Sequence, residues 1–224
     1  MAGERCARVL VRHGRRGRRR FRTKILAGLT ALVGALATIG GMVSDAITGL
    51  RLRGVPTVGH IDFEALDAYR FADGGGFPAS YRAFVRRAGW GRAFGLWLVY
   101  PPVLPGYADG WHGRGTELTR RFRASCRDGE NEAFDWMVEP DGNWSLPASL
   151  EVFAWSENGD ALLWNSSARD PDGEFPVWES RSLNSLHRLG SDLHQALPLI
   201  RARSADTLGS RPFDVEPLRA ARLE

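Results

Sequence analysis

Apolar positions along this chain recur in two rhythms. In "FPASYRAFVRRAGWG" (77–91), Tyr81, Phe84, Val85 and Ala88 fall at i, i+3, i+4 and i+7. That spacing predicts a short helix with one buried face, leaving Arg82, Arg86 and Arg87 off it. Pro78 suits the first turn, where its missing N–H has no helical partner, and Gly89 is a stop signal. Upstream, "HIDFEALDAYRFADGGG" (60–76) sets Phe63, Leu66 and Tyr69 at helical spacing, with Asp62 as N-cap and three glycines as the end. "TELTRRFRASCRDG" (116–129) repeats the pattern through Leu118, Phe122 and Cys126. The stretch 185–204 predicts a closing helix with Leu193, Ala196, Leu197 and Ile200 on one face. Ser191 or Asp192 would cap it, and Pro198 predicts a kink or an early end.

The second rhythm is that of strands. "FGLWLVYPP" (94–102) is apolar, aromatic and bounded by Gly and Pro, so it reads as a buried strand. "DWMVEPDGNW" (135–144) reads as a short strand and turn. "LEVFAWSENGDALLWNSS" (150–167) has two β-prone runs flanking Asn158-Gly159, a hairpin signal because both turn residues tolerate positive φ. "GEFPVWES" (173–180) supplies a further strand. Together these predict an α+β fold: a single domain, an antiparallel sheet with helices packed on one side. The organisation is an arm and apolar segment (1–50), the folded domain (51–204) and an irregular tail (205–224), which has two Pro and no periodicity.

Charge refines this division. The net charge is +4, but residues 1–24 carry ten basic groups and one acid. Residues 51–127 carry twelve Arg against six acids; residues 128–179 carry thirteen acids and only Arg169. The pI of about 9.6 is therefore set largely by the arm, and no nucleic-acid role is expected of the folded domain. One Lys against 29 Arg reflects base composition rather than arginine chemistry.

Residues 25–43 follow the basic run without a charge. Three readings stay open: a transmembrane or export segment, a peripheral membrane anchor, or a natural start at Met42. The first two would give membrane attachment through 25–43; the third gives a cytoplasmic protein.

Little else in the sequence carries chemistry. None of the five His stands at metal-ligand spacing from another His or from Cys, so no metal and no cofactor are expected. No nucleophile elbow or phosphate-binding loop appears. Cys6 and Cys126 are too few for a disulfide framework and read as thiols in a reducing compartment. "RDPDGEF" (169–175) lacks the spaced oxygens of a calcium loop and reads as a turn. A non-enzymatic role is expected.

The acidic stretch is the main surface feature. Asp128, Glu130, Glu132, Asp135, Glu139 and Asp141 follow one another with no basic residue between them, and Glu157 and Asp160 continue on the hairpin. A solvated face is one reading. The other is a surface matched to a basic protein partner, such as a nuclease whose site attracts phosphate. Trp90 and Trp111 lie in Gly-rich stretches and are candidate partner anchors, with packing beneath a loop as the alternative.

The order of elements resembles the SUKH superfamily (Smi/Knr family). Phe77-Pro78, Tyr81, Phe84-Val85 and Gly89 look like that family's apolar-Pro-x-x-Tyr-x-x-Phe-Leu stretch ending in Gly. The helix at 62–70 stands where the family has its first. Gly159-Asp160 followed by Trp164-Asn165 is similar to its Gly-Asp, apolar strand and acidic or amide residue, and 185–203 resembles its last helix. The likeness spans residues 55–203; 101–145 matches no pattern of the family, and Gly91 stands where the family often has Asn-Gly-Gly. The resemblance implies an α+β fold and a binding role: bacterial members are immunity proteins that neutralise a cognate toxin, and fungal members regulate cell-wall synthesis through protein partners. A regulatory scaffold, membrane-tethered or not, is thus the alternative to an immunity protein. Members differ in binding surface, so the resemblance assigns no site residues.

Overall fold

A computed structural model describes residues 46–223. Helix α1 (Phe63–Ala68) begins where the Asp62 side chain accepts a hydrogen bond from the Ala65 N–H at 2.8 Å. Helix α2 (Ala79–Ala88) buries Tyr81, Phe84, Val85 and Ala88, the four positions its spacing selects. The Glu174 carboxylate closes its N-terminus, accepting from the Ser80 N–H at 2.8 Å and the Ser80 hydroxyl at 2.5 Å, where a negative charge meets the positive end of the helix. Gly89 ends α2 at φ +65°; a Cβ there would stand 2.7 Å from the Thr57 carbonyl oxygen.

Seven strands follow in one sheet: β1 (Gly91–Ala93), β2 (Trp97–Val99), β3 (Leu150–Ser156), β4 (Ala161–Asn165), β5 (Val177–Ser180), β6 (Leu186–Gly190) and β7 (Val215–Pro217). Their order is β6-β5-β4-β3-β2-β1-β7, and every neighbouring pair is antiparallel. Six strands form a meander, and β7 returns to pair with β1. The α+β class and the antiparallel sheet are as the sequence predicts.

Both faces of this sheet are buried. On one, α1, α2 and α4 (Leu193–Leu208) pack against Phe153, Trp164 and Phe175; Phe153 and Trp164 stack with ring centroids 4.4 Å apart. The other is covered by α3 (Thr116–Asn131), whose Leu118, Phe122 and Cys126 meet Leu150, Val152, Leu163 and Leu186. Helices on one side only were expected. The second layer follows from β3 and β4, which bury residues pointing both ways: Val152 and Leu163 toward α3, Phe153 and Trp164 away from it.

Four further expectations change. The strand predicted within 94–102 covers only 97–99, because Phe94 and Gly95 form a turn with φ of +50° and +79°. Residues 135–144 hold no strand; Asp135–Met137 form a 3-10 turn whose hydrogen bonds close locally, Met137 N–H to the Phe134 carbonyl and Val138 N–H to the Asp135 carbonyl. Residues 186–190, predicted to be helical, are strand β6, and α4 starts only after Asp192 caps it through the Gln195 N–H at 2.8 Å. Pro198 lies inside α4 without ending it. The helix continues because Leu197 and Ile200 are held in the core on either side of it, against a penalty of about 3 kcal/mol.

The tail is also ordered. Helix α4 runs to Leu208, Gly209 ends it at φ +78°, and β7 completes the sheet beside β1. Val215 is buried, and Asp214 is tied to Arg51 and Arg201. Among the described residues no helix is long and apolar enough to cross a membrane. The apolar run 25–43 and the basic arm lie outside those residues.

Candidate functional site

The six carboxylates from Asp128 to Asp141 are all exposed. They line the last turn of α3 and the turns after it. The final turn of α3 has no basic residue, although the negative pole of a helix favours cations there, by about 0.3–1 kcal/mol each. Asp128, Glu130 and Glu132 therefore sit where they cost stability.

Between these acids, Phe134 and Trp136 stand in solvent, 39% and 49% exposed. Their rings stack with centroids 4.6 Å apart and planes 22° from parallel. Three contacts fix this pair. Ala133 at φ +56° turns the chain off the helix, and the Phe134 N–H returns to the Gly129 carbonyl at 2.9 Å. Met137, the next apolar residue, is buried against α3 at Gly129, where a Cβ would lie 2.2 Å from the Met137 sulfur. Asp135 Oδ1 accepts the Trp144 indole N–H at 2.7 Å. With Met137 and Val138 pinned inward, Phe134 and Trp136 face outward.

The remaining acids divide by partner. Asp141 also covers the edge of β6: its Oδ2 accepts the Arg188 N–H at 3.0 Å, while Leu186 N–H donates to the Glu139 carbonyl at 2.7 Å. Asp128, Glu130, Glu132 and Glu139 have no side-chain partner among the described residues. Glu157 is paired with Arg92 at 2.6 Å on the β3–β4 turn, apart from the others in sequence.

Three of the residues proposed from sequence do not belong to a surface. Asp160 is buried and bound to Arg203 at 3.1 Å and to the Ser182 hydroxyl at 3.2 Å. It forms a structural network with Glu179, itself 1% exposed, which pairs with Arg203 and with Arg181 at 3.0 Å. Trp90 is 2% exposed; it packs on His60 and Tyr100 and donates to the Arg219 carbonyl at 3.3 Å. Trp111 is 4% exposed and packs on Phe71, Phe77 and Trp164. Neither can anchor a partner in this fold; both pack beneath loops.

Compared with family models, curated proteins and solved structures, this chain matches none.

Other reactive groups are quenched by their surroundings. Burial pushes the Cys126 thiol up to about 12, far from thiolate formation at neutral pH. Burial likewise lowers His60, against the opposing charge of Asp109, and both of its ring nitrogens lack hydrogen-bond partners. Burial and the Arg181 charge lower His187, against Asp141. No group of three or more His, Cys, Asp or Glu among the described residues could hold a metal ion. The chemistry offered by the α3 surface is that of recognition: negative charge around two flat apolar rings. Sequence reasoning misses Phe134 and Trp136 because it places Trp136 in a strand. The signal is present in "EAFDWMVE" (132–139), where acids flank and separate the aromatics and no alternation of apolar and polar residues runs past Met137.

Proposed function

We propose that this chain is a non-enzymatic protein-binding domain of SUKH type, acting in the cytoplasm as an immunity protein. It captures a basic toxin, such as a nuclease, and occludes its active site or the surface beside it. The observation that carries this reading is the exposed Phe134–Trp136 stack set among carboxylates with no basic residue between Asp128 and Asp141. The toxin component of the reading rests on the sequence resemblance. Acidic side chains would speed encounter with a basic partner and exclude acidic ones. Carboxylates can also imitate the phosphates that a nuclease site attracts. The rings would supply the holding energy: burying each is worth about 1.5–3 kcal/mol, and aromatic anchors of this kind dominate interface energetics.

The test is recovery of the protein from its native cells, with bound proteins identified by mass spectrometry and compared with the Trp136→Ala and Glu130→Lys/Glu132→Lys forms. The expected result is a stoichiometric basic toxin, released by high salt and absent from both variants. A partner set of membrane or wall-synthesis proteins, unaffected by these substitutions, would replace this reading with the regulatory scaffold.

A further inference from the structure

A second feature, remote in sequence from the acidic surface, lies where α4, the β1–β2 turn and the 209–214 loop meet. There a cavity of about 400 Å³ is walled by Phe94 and Phe213 and rimmed by Arg51, Arg201 and Arg211, with Asp214 at its base. Asp214 is buried and organises the rim. Its carboxylate accepts from the Arg51 backbone N–H at 2.8 Å, from Arg51 Nε at 3.2 Å and from Arg201 Nη2 at 3.1 Å. Burial alone would raise this carboxyl. The Arg51 hydrogen bonds and the Arg201 charge outweigh it and hold Asp214 below the usual carboxylate range, so it stays ionised. One carboxylate thus pairs with two guanidinium groups, and Arg211 adds a third positive charge to the lining. Arg211 has no ion-pair partner among the described residues, and its side chain lies against Gly95.

The apolar wall is equally specific. Phe94 holds φ at +50° because it and Gly95 are the central residues of the β1–β2 turn, closed by Leu96 N–H donating to the Ala93 carbonyl at 3.1 Å, and this fixes where its ring enters the wall. Its ring is buried with the Arg201 guanidinium 5.5 Å from the centroid. Phe213 stands 42% exposed at the opening. Positive charge in excess, two aromatic walls and a volume suited to a small molecule coincide in one place.

We propose that this cavity binds a small amphipathic anion: a carboxylate or phosphate group joined to an apolar, preferably aromatic, body. The acidic group meets Arg211 and the outward edges of Arg51 and Arg201, and the body lies against Phe94 and Phe213.

The test is a titration of the full chain, followed by amide NMR, with phenyl phosphate, benzoate, inorganic phosphate and benzyl alcohol. The expected result is saturable shifts at Phe94, Arg201 and residues 210–214 with phenyl phosphate or benzoate, the stronger of the two naming the acidic group. Arg211→Ala weakens binding about tenfold, Phe213→Ala weakens it about fivefold, and Arg120→Ala leaves it unchanged. The proposal is overturned if neither anion saturates by about 10 mM, or if affinity survives Arg211→Ala in a chain with an intact spectrum. It is equally overturned if benzyl alcohol binds as well as the anions. Inorganic phosphate binding as tightly as phenyl phosphate would leave only loose counter-ion attraction to arginines, and would also overturn it. None of these outcomes depends on the α3 surface.

Discussion

Replacing Arg203 by Met removes the cation that joins β4, β5 and α4. In the native fold Arg203 meets Glu179 and Asp160, whose side chains are 2% and 8% exposed. Breaking a fully buried ion pair costs about 3–5 kcal/mol because a charge is left uncompensated. Here two groups soften the loss: Arg181 remains on Glu179 at 3.0 Å and Ser182 on Asp160 at 3.2 Å. Arg203 itself is 31% exposed, so water reaches the gap. The expected cost is therefore about 2–3 kcal/mol, or a fall in Tm of roughly 4–12 °C for a domain of this size. Urea unfolding measures it, and a second substitution identifies the cause. Glu179→Gln added to the Arg203→Met variant removes the stranded charge while keeping an acceptor for Arg181, so it restores at least half of the loss. Glu179→Gln alone destabilises, because Arg203 then faces a neutral amide. A loss below about 0.5 kcal/mol for Arg203→Met, or purely additive effects of the two substitutions, would refute the Arg203–Glu179 ion pair as the source of the loss.

Other outcomes follow from single sites. His60 has a folded-state pKa lowered by burial, so its contribution is fully present above the unfolded value of about 6.5 and is lost as pH falls through the folded value; thermal melts from pH 8 to 4 show that slope, and His60→Leu flattens it. Trp136→Ala changes the unfolding free energy measured in urea by less than about 0.5 kcal/mol, because the side chain is half exposed, while it abolishes partner capture. Asp192→Ala removes the α4 N-cap and costs about 1 kcal/mol in the same assay. In a Cys6→Ser background, Cys126 stays inert to a thiol reagent at pH 8 and reacts once urea unfolds the chain, as a buried thiol near 12 requires.

The elements that could be read from sequence are those fixed by local forces. Tyr81, Phe84, Val85 and Ala88 bury together because helical spacing alone puts them on one face. Gly159 takes φ +87° in the hairpin turn because its own lack of a Cβ permits it. What stayed hidden depends on partners distant in the chain. Nothing near Asp160 in sequence marks Arg203, 43 positions later, as its counter-ion. Nothing near Val215 marks β1. Trp90 and Trp111 look like loop residues, yet they turn inward onto partners distant in the chain, Trp90 onto His60 and Trp111 onto Phe71, Phe77 and Trp164. For the candidate surface, the acids from Asp128 to Asp141 are exposed, but Asp160, Trp90 and Trp111 are buried, and the exposed rings of Phe134 and Trp136 depend on how Met137 settles against Gly129, which local sequence does not mark.

The return of β7 to β1 has a temporal side. Arg51 meets Asp214 across 163 positions, and β1 has no second neighbour until β7 arrives. A chain emerging from the ribosome at its N-terminal end would form the β2-to-β6 meander first and pair β7 with β1 only after residue 217 has been made. Until then β1 would present an open row of backbone donors and acceptors. A chain cut between Gly190 and Val215 keeps that row exposed, so the pairing of residues 215–217 with 91–93 is what removes it.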